Sequence, residues 1–122
     1  QNPQGDTRLL LLTREEEKRL LQRLGYATLL AECGEEALAI YARRKDEISL
    51  VLLDLAMPGM GGVETLQRLQ AQAPDLKVVV CSGDGHESLP AALLRACGVA
   101  FLRKPFELDE LQRTIQTLLA VH

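Results

Sequence analysis

The chain has 122 residues, 47% of them hydrophobic and 25% charged, with only 3% aromatic and no Trp. That length suits one domain, which would bury about two-thirds of the surface its unfolded form exposes around an aliphatic Leu, Val and Ala core. A net charge of −3, with Lys and Arg scattered among Glu and Asp, excludes the basic patch that non-specific nucleic-acid or membrane binding requires.

Residues 1–7 (QNPQGDT) are polar and contain Pro and Gly, as in a linker or tag remnant, so the folded domain is expected over 8–122. The chain begins with Gln1 rather than Met, which fits a piece of a longer protein. No apolar run approaches the roughly 18 residues of a membrane span, no signal peptide is visible, and a cytoplasmic setting is expected. Short apolar runs predict strands over 9–12, 26–31, 50–53, 76–81 and 99–102. Amphipathic segments between them predict helices over 15–24, 35–44, 63–73, 87–97 and 108–120; in the last, Leu108, Leu111, Ile115, Leu118 and Leu119 share one stripe. The alternation reads as (βα)5, an α/β chain with a doubly wound parallel sheet whose crevice lies at the carboxyl ends of its strands.

Three strands end on residues that carry chemistry. Asp54 closes the third and opens onto Leu55-Ala56-Met57-Pro58-Gly59-Met60-Gly61-Gly62, a loop that Pro and Gly hold open. Val80-Cys81 runs into Ser82-Gly83, and Phe101-Leu102 into Arg103-Lys104-Pro105-Phe106. A nucleophilic carboxylate, a hydroxyl and an ammonium are thereby expected at one sheet edge. Glu15, Glu16 and Glu17 read as a solvated first helical turn that suits the helix dipole. Thr13 and Glu16 would form a capping box starting that helix at Arg14. Cys33, Cys81 and Cys97 are odd in number and lack C-x-x-C spacing, so they read as buried free thiols of a reducing compartment. His86 and His122 read as solvated, and the glycines at 59, 61 and 62 open no phosphate-cradling loop.

Asp54 with D-L-x-M-P-G-M-x-G, the Val80-Cys81-Ser82-Gly83 stretch and Phe101-Leu102-Arg103-Lys104-Pro105-Phe106 resemble the receiver domain of two-component response regulators. Gly25-Tyr26 and Gly34-Glu35-Glu36-Ala37-Leu38 extend the resemblance, which covers residues 8–120. It implies the flavodoxin-like strand order 2-1-3-4-5 and a phosphoacceptor that works with a histidine kinase or phosphotransfer protein. In that role Asp54 takes the phosphoryl group, Ser82 hydrogen-bonds a phosphoryl oxygen and Lys104 pairs with its charge. Ser82 and Phe101 form the switch, although Phe101 reads equally well as half-buried core. A cis Lys104-Pro105 bond aims Lys104 into the crevice, and Asp54 with the backbone carbonyl of Ala56 holds Mg²⁺. Phosphoryl transfer needs such cations and donors fixed around the equatorial oxygens more than it needs covalent help. Homodimerisation is left open, as is a place as the terminal receiver of a hybrid sensor histidine kinase.

The departure lies after the first strand, where receivers carry the acidic residues that complete the Mg²⁺ site. Here Leu12 passes to Thr13-Arg14-Glu15. The preferred explanation is an acidic segment that belongs between Leu12 and Thr13, because the rest of the site is intact. A true deletion is the other. One of Glu15, Glu16 and Glu17 replacing the lost ligand is a minor reading. The rival function is a pseudo-receiver that takes no phosphate and serves as a docking module, with Arg14 a fixed cation beside Asp54. An aspartyl-nucleophile phosphatase is disfavoured, since its general acid stands two residues after the nucleophile, where this chain has Ala56.

Overall fold

Five short runs rich in Leu and Val form a parallel sheet: β1 (Leu9–Leu12), β2 (Ala27–Leu30), β3 (Ile48–Asp54), β4 (Lys77–Ser82) and β5 (Val99–Arg103), in the order β2-β1-β3-β4-β5. The computed structural model describes residues 9–13, 15–55, 61–83 and 98–120. Four helices among these are α1 (Glu16–Arg23), α2 (Gly34–Arg44), α3 (Gly62–Gln72) and α4 (Leu108–Ala120). The expected helix over 87–97 lies outside the described residues, together with residues 1–7, Arg14, Ala56, His86, Cys97 and His122. No helix among the described residues is long and apolar enough to cross a membrane.

Side chains of a strand alternate between faces, so each apolar run feeds two cores. Leu11, Val51, Leu53, Val78 and Val80 pack with Ala37, Ile40 and Tyr41 of α2 and Leu66 and Leu69 of α3. Leu10, Leu12, Leu50, Leu52, Val79, Cys81 and Leu102 pack with Leu21 of α1 and Leu111, Ile115 and Leu118 of α4. Cover on both faces is why these strands read as near-continuous apolar runs. The strand order reverses between β1 and β3, and in open α/β sheets such a switch point opens a crevice beyond the carboxyl ends of the strands.

The start of α1 differs from expectation. The helix begins at Glu16 with Glu15 as its N-cap and no side-chain capping bond; the Thr13 hydroxyl is engaged with β3 instead. Its end follows the sequence signal. Gly25 takes φ 95°, a conformation that costs glycine little. The N–H groups of Gly25 and Tyr26 then donate to the Gln22 and Leu21 carbonyls at 3.0 and 3.1 Å, which caps the helix and turns the chain into β2.

Candidate functional site

The ladder registers bring the reactive residues together. Asp54 lies opposite Cys81, and Ser82 opposite Arg103. Past the strand tips the pairing continues, with Leu55 N–H donating to the Cys81 carbonyl and Lys104 N–H to the Ser82 carbonyl, each at 2.9 Å. Asp54 and Ser82 are buried, at 3% and 6% exposure. The Lys104 ammonium donates to Asp54 Oδ2, and the Lys104–Pro105 bond is cis. Phe101 is half-buried against the core on the α2 and α3 side.

A fourth residue belongs here that the sequence reading placed in solvent. Glu17 is 4% exposed, and its Oε2 lies 3.3 Å from the Lys104 ammonium. Only residues 13–15 separate β1 from α1, so the first helical turn sits close over the sheet edge. Glu17 also stands four residues before Leu21, which is fully buried, and residues four apart share a helix face. That spacing was the available signal, hidden among three consecutive glutamates of which Glu15 is exposed as expected. Glu17, Leu20, Lys104, Pro105 and Phe106 line a cavity of about 270 Å³.

The stretch after β1 presents a hydroxyl to the site. Thr13 follows Leu12 directly, and both are anchored: the Leu12 carbonyl accepts Ala31 N–H at 2.8 Å, while Thr13 Oγ1 accepts Asp54 N–H at 2.8 Å and lies 3.4 Å from the Leu52 carbonyl. Thr13 is 3% exposed. In the sequence as it stands, a hydroxyl is therefore bound at the edge where carboxylates were expected. No group of three His, Cys, Asp or Glu side chains that could hold a metal occurs among the described residues. Asp54 and Glu17 share the Lys104 ammonium, so these side chains do not make up the three-carboxylate set expected for Mg²⁺. Burial pushes the thiol of Cys81, which lies beneath the site, well above the usual cysteine range. The charges of Glu17 and Asp54 act in the same direction and that of Lys104 against it.

Residues 11–116 match the response regulator receiver domain family. The response regulator GacA of Pseudomonas aeruginosa is 33% identical over 90 residues, covering 74% of this chain and 41% of that protein. The sensor kinase CckA of Brucella abortus is 32% identical over 120 residues, covering 94% of this chain and 13% of the kinase. The chain thus spans less than half the length of either. The receiver domain of NtrX from Brucella abortus superposes with a TM-score of 0.79 at 28% identity, over 93% of this chain and 99% of that one. With the strand order and the carboxylate at the tip of β3, this match makes the chain a member of the response regulator receiver domain family of two-component signal transduction.

Proposed function

We propose that residues 8–122 form a receiver in which Asp54 is the phosphoacceptor. The observation that carries this reading is the Lys104 ammonium seated on a buried carboxylate at a strand tip, with Ser82 at the neighbouring tip. Asp54 attacks the phosphorus of a phosphohistidine; the P–N bond breaks, its electron pair stays on the imidazole nitrogen, and an acyl phosphate forms. The Ser82 hydroxyl donates to a phosphoryl oxygen and Lys104 neutralises developing charge, the kind of electrostatic help this reaction rewards. Ser82 and Phe101 then report the phosphorylated state to a partner surface.

Receiver domains of this family generally bind Mg²⁺ in an acidic pocket. In this chain we assign any Mg²⁺ to Asp54 and the backbone carbonyl of Ala56, a pair too small to hold it tightly, since the ion prefers octahedral oxygen coordination anchored by carboxylates. The donor is a histidine kinase or phosphotransfer protein in the cytoplasm. Similarity to a stretch of a sensor kinase supports a place within a longer hybrid kinase.

Incubation with a small phosphodonor and excess Mg²⁺, followed by intact-mass measurement, tests the assignment. One phosphoryl group is expected on the wild type and none on Asp54→Asn. Hydroxylamine-resistant label retained by Asp54→Asn would overturn it, and no label on the wild type would favour the docking-module alternative.

A further inference from the structure

We infer that Glu17 is a positioning residue for phosphoryl acceptance: it competes with the phosphoryl group for the Lys104 ammonium and so holds the switch in its resting state. The inference rests on Asp54 being the phosphoacceptor. At rest the ammonium serves two carboxylates, Asp54 Oδ2 and Glu17 Oε2, whose side chains are only 3% and 6% exposed. Lys104 itself is 23% exposed and lines the neighbouring cavity, which leaves its head room to move. When Asp54 becomes an acyl phosphate, the carboxylate charge is replaced by a phosphoryl group of about −2, and the ammonium is drawn to the phosphoryl oxygens. That displacement takes it from Glu17, whose buried carboxylate loses this pairing, and breaking one side of a buried ion pair is costly. Glu17 thereby opposes phosphorylation through Lys104. The short connection after β1 creates the device, because it carries the first turn of α1, and with it Glu17, over the site.

Two measurements on the intact chain test the inference. The first is a urea-unfolding cycle of Glu17→Gln, Lys104→Met and the double variant, without phosphodonor. Non-additive losses are expected for residues in contact, and additive losses would show that Glu17 does not hold Lys104. The second is the ratio of phosphorylated to unphosphorylated protein at steady state, read by intact mass with a small phosphodonor and excess Mg²⁺. Glu17→Gln should raise that ratio roughly fivefold or more, the usual scale of coupling between sites, and the gain should vanish on the Lys104→Met background. A merely structural role for Glu17 would produce no gain. Glu17→Leu, which fills the site with an apolar side chain, carries the same expectation if Glu17→Gln lowers the unfolding midpoint. Label on the wild type with no gain in either Glu17 variant, or a gain that persists without Lys104, overturns the inference alone. Absence of label on the wild type and on every variant overturns the phosphoacceptor reading and the inference together.

Discussion

The Thr13 hydroxyl accepts the backbone N–H of Asp54 at 2.8 Å, tying the tip of β1 to that of β3 across the strand switch point. Strand pairing ends at Leu12 with Leu52, so this side chain extends the ladder by one more contact and fixes the backbone that carries the Asp54 carboxylate. Both residues are 3% exposed, leaving water little access to the N–H if the hydroxyl is removed. Thr13→Val keeps the shape and deletes the acceptor. It should cost about 1–3 kcal/mol, the penalty for a buried donor left unsatisfied, read as a lower urea midpoint at unchanged slope. Phosphoryl acceptance at Asp54 should fall as well, and a variant as stable and active as the wild type would contradict the role.

Gly62 opens α3 against Leu55, the residue that follows Asp54. A Cβ built there would come within 2.7 Å of the Leu55 Cα and 2.6 Å of its Cδ2. The leucine tip can rotate away, but the backbone atom belongs to the residue next to Asp54. Alanine normally gains about 1 kcal/mol over glycine within a helix, so Gly62→Ala is a test of sign. Net destabilisation of about 1–3 kcal/mol is expected, as for other overpacked sites. A stabilised variant would mean that the start of α3 can move away from Leu55 at little cost.

The fold was legible because strands covered on both faces announce themselves as unbroken apolar runs, and residues at their ends can then be placed at one edge without knowing any contact. Asp54, Ser82 and Lys104 were found in that way. Glu17 was not, because charge alone marks a glutamate as solvated and only its spacing from Leu21 hints otherwise. Thr13 was misread for a related reason. Thr followed three residues later by Glu is a local capping pattern, whereas the hydroxyl bonds to a strand 41 residues away in sequence, a partner that only the sheet register reveals.

Cys81 should resist alkylation in the folded domain. Burial is the first cause of its raised pKa, with Glu17 and Asp54 adding to it, and the thiolate is the reactive form. At pH 8, iodoacetamide should modify Cys81 only after unfolding, whereas half-buried Cys33 should react sooner, as peptide mapping would resolve. The same shift has a stability consequence. A group whose pKa is raised on folding supports the fold below its unfolded value and loses that support as pH rises, so stability should decline above about pH 8.5. Equal labelling rates for the two thiols would contradict the burial argument.

The last prediction concerns the divalent cation. With no acidic residue between Leu12 and Glu15, a Mg²⁺ ion approaching Asp54 meets a carboxylate already bound to the Lys104 ammonium, which Glu17 also holds. Two like charges a few ångströms apart in a poorly screened site repel strongly, so ion and ammonium compete for the same oxygens. Binding to the wild type should therefore be weak in isothermal titration calorimetry. Replacing the ammonium by an apolar side chain in Lys104→Met should tighten it by roughly tenfold, a modest share of what a unit charge at that distance can exert. Inserting Asp-Asp between Leu12 and Thr13 should tighten it further, because carboxylates gathered around one point favour a divalent ion. If Lys104→Met binds Mg²⁺ no better than the wild type, the ammonium is not the competitor, and the lost acidic pair alone would account for the weak site.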